Sequence, residues 1–197
     1  MKILLGGIVA ALAASAALAS AASASPSWKL NGTPLGGPET VTGSAVSSSL
    51  TLPGLTTTCD YSYKMTISNN LGTGEGKITE LPIVKCSTNS KACTVAAAAA
   101  EGLPWSVHAK TIGTGNYIIV EGVKIGILYA GEECVLNETL LRYKGSAGAL
   151  FNNANSTFTF SPANFTATGT ELKALGASVQ WNGVFSTNAP GGVLTLS

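Results

Sequence analysis

The sequence predicts an all-β fold: an antiparallel β-sandwich or flattened β-barrel, stapled by two disulfides and following an N-terminal signal peptide. Three observations carry this. Period-two alternation recurs, most clearly in Cys59, Tyr61, Tyr63, Met65 and Ile67 set against Asp60, Ser62, Lys64, Thr66 and Ser68; one set faces a core and the other water. Glycine, proline and asparagine turn signals return about every 8–12 residues with no long helical period between them, the spacing of sandwiches and barrels. The cysteines number four, an even count that outside the cytoplasm means disulfides.

The chain begins as an export signal would. Lys2 is a minimal basic region, Ile3 to Ala19 is apolar and alanine-rich, and Ala22-Ser-Ala24 fits the small-residue cleavage rule. Ala17-Leu-Ala19 and Ala19-Ser-Ala21 are alternative cleavage sites. The expectation is a signal peptide over residues 1–24 and one all-β domain over 25–197, with 25–54 as a looser lead-in. A retained anchor is the competing reading, but the run is barely long enough to span and is rich in small residues. Secretion or an extracytoplasmic, cell-envelope location follows, with no membrane span in the mature form.

Ser25 to Pro53 reads as short extended pieces, Trp28–Leu30, Glu39–Thr42 and Ser47–Leu52, punctuated by Gly32, Pro34, Gly36-Gly37-Pro38 and Pro53-Gly54. Trp28, Leu30, Leu50 and Leu52 suit packing. The strand from Cys59 reverses through Leu71-Gly-Thr-Gly-Glu-Gly76, and Lys77 to Cys86 returns. A fold-back about Gly72–Thr73 sets Cys59 opposite Cys86, where cross-strand β-carbons are close enough to bridge. That favours Cys59–Cys86 and leaves Cys93–Cys134. Four cysteines allow three pairings, and Cys86–Cys93 is the rival short clip. The same register sets Glu80 against Met65 and places Pro82 in the ladder; a bulge there restores an apolar face through Leu81 and Thr79.

Ala96 to Ala100 favours helix by composition. Five residues between Cys93-Thr-Val95 and Glu101-Gly102 make less than two turns, so a strand running into a tight turn is expected. Trp105, Val107, Ala109 and Thr111 alternate with Ser106, His108 and Lys110. Asn116 to Tyr129 is the most apolar run after the signal, with Gly122 or Gly126 as a bend. Val135 to Tyr143 alternates again, and Gly145 to Gly148 is expected to break it. Phe158, Phe160 and Phe165 anchor a threonine-rich stretch, Glu171 to Leu175 suits one helical turn, Val179 to Phe185 alternates, and Val193 to Leu196 closes the chain.

Charge and chemistry exclude more than they assign. Lys2 belongs to the signal, so the remaining basic residues balance ten acidic ones, and charged residues make 11% of the chain against roughly 25% in ordinary soluble domains. Such a balance gives no overall reason to bind nucleic acid. One histidine and no cysteine pair at zinc spacing argue against a metal site, and no cofactor is expected. An outer-membrane barrel would need aromatic girdles, yet aromatics are 7%. A serine hydrolase would need His108 and Asp60, both on solvent faces, and there is no Gly-x-Ser-x-Gly elbow. Glycoside hydrolysis would need a carboxyl pair; Glu80, Glu101, Glu121, Glu132, Glu133 and Glu138 are the candidates, and surface placement is the expectation. Trp28, Trp105 and Trp181, with Tyr61, Tyr63 and Tyr143, could stack sugars but sit in alternating apolar sets that suit a core. Gly72–Gly76 lacks the Lys-Ser/Thr ending of a phosphate loop. Asn31-Gly-Thr, Asn137-Glu-Thr, Asn155-Ser-Thr and Asn164-Phe-Thr match a glycosylation acceptor only in a host that uses it.

Cys59, Cys86, Cys93, Gly102-Leu-Pro-Trp105 and Cys134 together give the chain, over roughly Trp28 to Phe160, a layout that resembles uncharacterised secreted β-rich proteins of actinobacteria. The resemblance implies an exported β-rich domain and transfers no functional residue. The functional expectation is a non-catalytic exported or cell-envelope β-domain acting by surface interaction with a protein or glycan. The alternatives are a glutamate-dependent enzyme on extracellular polysaccharide, and a barrel carrying an apolar ligand.

Overall fold

The computed structural model describes residues 25–197; the expected signal peptide lies outside them. Of the described residues 68% are strand and 4% helix, and the large sheets are antiparallel. The chain runs β1 (Trp28–Leu30), β2 (Thr33–Pro34), β3 (Glu39–Leu52), β4 (Leu55–Asn70), β5 (Thr73–Glu80), β6 (Ile83–Thr88), β7 (Thr94–Ala100), β8 (Trp105–Ile112), β9 (Gly115–Ala130), β10 (Leu140–Asn152), β11 (Thr157–Phe160), α1 (Pro162–Thr168), β12 (Leu172–Ala174), β13 (Ala177–Asn188) and β14 (Leu194–Leu196).

The hydrogen-bonded order closes on itself. From β10 it passes through β12, β13, β3, β4, β5, β8 and β9, and β9 pairs back with β10. The flattened-barrel alternative is therefore the one that forms, and closure removes the free edges an open sheet would carry. β11 bridges β10 and β13 beside β12. β6 continues the ladder on β4, and β7 continues it on β9, beyond the ends of β5 and β8. A second small sheet, β14-β1-β2, joins the two ends of the described chain.

The alternating strand buries as its sequence dictates: Cys59, Tyr61, Tyr63, Met65 and Ile67 are all core. The return register reaches the expected disulfide by a different count. The β4–β5 turn pivots on Leu71–Gly72, one residue earlier than expected, and both have positive φ, at 49° and 82°, as a type I′ hairpin turn requires. Two bulges then make up the difference. Thr79 is extra between Ile78, opposite Met65, and Glu80, opposite Lys64. Lys85 and Cys86 together face Cys59. The result is Cys59–Cys86, with Cys93–Cys134 as the second bridge. Cys59–Cys86 ties β6 to β4, and Cys93–Cys134 ties the start of β7 to the loop after β9.

Gly122 is the bend in β9. It is skipped in the ladder between Val123, opposite Gly145, and Glu121, opposite Ser146, and its φ of 75° is one that glycine adopts without steric cost. Gly126 pairs regularly with Arg142.

Three expectations are corrected. Val135 to Thr139 is not strand: successive turns run from Gly131, Cys134 N donates to Gly131 O, and Val135 is 95% exposed. The bridge to Cys93 holds this loop against the start of β7, and its turns close on themselves, with Asn137 N donating to Cys134 O and Thr139 N to Leu136 O. Gly145 to Gly148 does not break the following strand; β10 runs through them. These glycines admit the chain that crosses outside, since a β-carbon on Gly148 would collide with Thr168 Oγ1 and one on Gly145 with Glu171 O. Finally, Glu171 to Leu175 makes no helical turn; Leu172–Ala174 is strand and turns at Leu175–Gly176, both of positive φ. The helix lies earlier, at Pro162–Thr168, where Ser161 caps, Pro162 starts and Gly169 ends it in the left-handed conformation.

The first strand packs through Trp28, while Thr33–Pro34 stays exposed. Trp28 is wholly buried, its Nε1 donates to Glu75 O and its N to Asn69 Oδ1, and Phe151 and Phe158 meet its ring edge-on.

Candidate functional site

The barrel interior is occupied by side chains. Phe160 stacks on Trp181 with centroids 4.6 Å apart, and Tyr61, Phe185 and Phe158 extend the cluster. Trp28, Trp105 and Trp181 are all core, so none offers a face for sugar stacking. A wholly apolar gap of about 30 Å³, bounded by Met65, Trp105, Ile118 and Phe185 among others, remains between the walls. A bound small molecule needs several hundred Å³.

Toward the disulfide end the interior carries buried hydroxyls. Thr57 Oγ1 lies 2.6 Å from Tyr129 OH, which lies 2.8 Å from Tyr143 OH. Tyr61 OH, also buried, has no hydrogen-bond partner among the described residues. Burial pushes the phenols of Tyr61 and Tyr143 well above the ordinary tyrosine range. Tyr63 is raised for the same reason, less the effect of its hydrogen bond to Thr187.

The sequence-predicted titratable groups scatter over the outside. His108 Nε2 faces Glu121 at 3.6 Å on an exposed ladder. Asp60, on another strand, accepts from Ser47 N at 2.9 Å and pairs with Lys85 at 3.6 Å. Ser47 has φ of 55° at a bulge between β3 and β4, so Asp60 fixes backbone geometry. Glu80 pairs with Lys64. Glu132, Glu133 and Glu138 stand exposed around Cys134 in the β9–β10 loop. Glu101 lies against Lys124 at 2.8 Å and Arg142 Nε at 3.0 Å, and their hydrogen bonds hold its carboxyl below the usual range. Glu171 is lowered likewise by Ser178 and then Lys173. A glycosidase acid needs its carboxyl raised; both resolved glutamate shifts run the other way. No cluster of three His, Cys, Asp or Glu suits a metal among the described residues.

Outer grooves remain; beside one of about 300 Å³ lined by Pro162, Phe165, Ser178 and Gln180 stand two larger ones. One, about 460 Å³, lies where β13 leaves β3 and is lined by Thr42, Ser44, Ser62, Ser186, Asn188 and the Lys64–Glu80 pair. Gly43, between the buried Val41 and Ala45, faces inward, where a β-carbon would collide with Ser186 O and the Tyr63 ring. The other, about 370 Å³, crosses β10 and β12 and is lined by Leu140, Arg142, Lys144, Lys173 and Leu175. Sequence reasoning found neither, because both depend on which strands become neighbours. Of the glycosylation matches, Asn164 is buried and donates to Thr159 O, while Asn31, Asn137 and Asn155 are exposed.

Comparison with known proteins returns no matching family model, no matching curated relative and no matching solved structure.

Proposed function

We propose that the chain is an exported, non-catalytic β-barrel module that works by contact through its outer wall. The observation that supports this best is the division of the molecule: an interior filled by side chains, and open grooves on the exterior. The two disulfides accord with an oxidising, extracytoplasmic compartment, and the layout of the first 24 residues accords with export. The carboxylates support a non-catalytic reading, because Glu101 is engaged by Lys124 and Glu171 by Lys173 and the Ser178 hydroxyl.

The test is co-sedimentation of the oxidised protein with purified insoluble envelope polysaccharide, with released reducing ends assayed in parallel. Binding of the native barrel, lost on reduction and unfolding, with no new reducing ends, supports the reading. Release of reducing ends that Glu101→Gln or Glu171→Gln abolishes would replace it with the enzyme.

A further inference from the structure

In a chain so sparing of charge, three lysines stand in one row. Lys124 of β9 is the direct ladder partner of Lys144 of β10, and Lys144 is the direct partner of Lys173 of β12. All three alternate with buried neighbours, Ile125, Tyr143 and Leu172, so they share the outer face. Strands lie about 4.8 Å apart, so the row sets three ammonium groups across roughly 10 Å. Arg142 lies on the same face two residues from Lys144. Like charges directly opposite destabilise a sheet, and nothing in the core requires them.

The local carboxylates answer only part of this charge. Glu101 serves both Lys124 and Arg142, and Glu171 serves Lys173 at 3.0 Å. Lys144, at the centre of the row, has no carboxylate in reach among the described residues. Arg142, Lys144 and Lys173 line the 370 Å³ groove, and Lys124 stands beside it as the ladder partner of Lys144. Leu140 and Leu175, 43% and 74% exposed, flank it as apolar shelves.

We propose that this groove binds a linear polysaccharide carrying a carboxylate on successive sugars, with acid groups on Lys144 and its neighbours and sugar faces against Leu140 and Leu175. The proposal rests on the surface-contact reading and names its partner class. The surplus charge is too small for the several phosphate contacts of nucleic acid or for a polybasic membrane patch. A folded protein would need about 800 Å² of matched surface, and this groove is two strands wide. A bare polyphosphate has no apolar face to cover the leucines.

The experiment titrates the oxidised protein with oligogalacturonate, its fully methyl-esterified form and linear polyphosphate, by calorimetry at low and physiological salt. Expected are binding of the free acid that tightens at low salt, little binding of the ester, and a Kd raised ten-fold or more by Lys144→Glu. Lys110→Glu, on β8 outside the row, leaves Kd unchanged. A melting temperature for Lys144→Glu at or above that of wild type, as relief of the like-charge row predicts, shows that its loss of binding is not unfolding. Absence of oligogalacturonate binding, or binding indifferent to Lys144→Glu, overturns the proposal. So does equal, lysine-dependent binding of polyphosphate. Ester binding that ignores Lys144 would remove this inference while leaving the surface-contact reading standing. New reducing ends on the polymer would remove that reading.

Discussion

The Thr57 hydroxyl and the Tyr129 phenol sit 2.6 Å apart inside the barrel, on strands β4 and β9 that share no ladder. Tyr129 OH also meets Tyr143 OH, so one phenol connects three strands across the interior. Tyr129→Phe strands both partners in a buried setting, and an unsatisfied buried hydroxyl costs about 1–3 kcal/mol. Denaturant unfolding of Tyr129→Phe should show a loss of that size, and Thr57→Val with Tyr129→Phe should lose less than the two singles combined.

Tyr61 is the counter-case. Its hydroxyl is buried without a partner, while its ring packs on Trp181 and Phe185. Removing an unpaired buried hydroxyl at constant ring packing relieves a desolvation cost. Tyr61→Phe should be neutral or stabilising by up to about 1 kcal/mol. A loss larger than that, measured by the same unfolding curves, would show that the hydroxyl has an occupant.

Tyr61, Tyr63 and Tyr143 all have phenols raised by burial. In the unfolded chain each ionises near pH 10, whereas in the barrel each stays neutral. The stability tied to their neutrality is full below pH 10 and is lost as pH rises above it, by about 1.4 kcal/mol per pH unit per phenol. Phenolate absorbance of Tyr61, Tyr63 and Tyr143 should rise above pH 10 in a cooperative step that coincides with loss of the sheet signal.

Glu101 acts in the opposite direction. Its carboxyl is lowered by Lys124 and Arg142, so its contribution is full above the unfolded glutamate range and is lost as pH falls through its folded value. The melting temperature of wild type should fall more between pH 7 and pH 3 than that of Glu101→Gln. Because the clamp is partly solvent-exposed, added salt should narrow the gap between them. Equal falls would show that the clamp contributes nothing to stability.

What the sequence revealed and what it withheld follow a physical division. Period-two burial is local, so Cys59 to Ile67, Trp105 to Ala109 and Val179 to Trp181 were legible residue by residue. The Cys59–Cys86 pairing is legible only through a turn placed one residue late, because the bulges at Thr79 and Lys85 that offset it appear only in the register of the paired strands. Gly145 to Gly148 misled because a glycine needed for close approach looks, in sequence, like one needed for a turn. The helix at Pro162 did carry a local signal, Ser-Pro at its start and Gly169 at its end, outweighed by the strand-like threonines around it. The lysine row had none: Lys124, Lys144 and Lys173 are far apart in sequence and meet only through two strand pairings.

The account depends on two bridges holding β6 and β7 to the closed ring. The most direct measurement is peptide mapping by mass spectrometry, under non-reducing conditions, of the protein recovered from its native host. Cross-linked fragments joining Cys59 to Cys86 and Cys93 to Cys134, with no alkylatable thiol, are predicted. Free cysteines in that material, or a Cys86–Cys93 fragment, would contradict it.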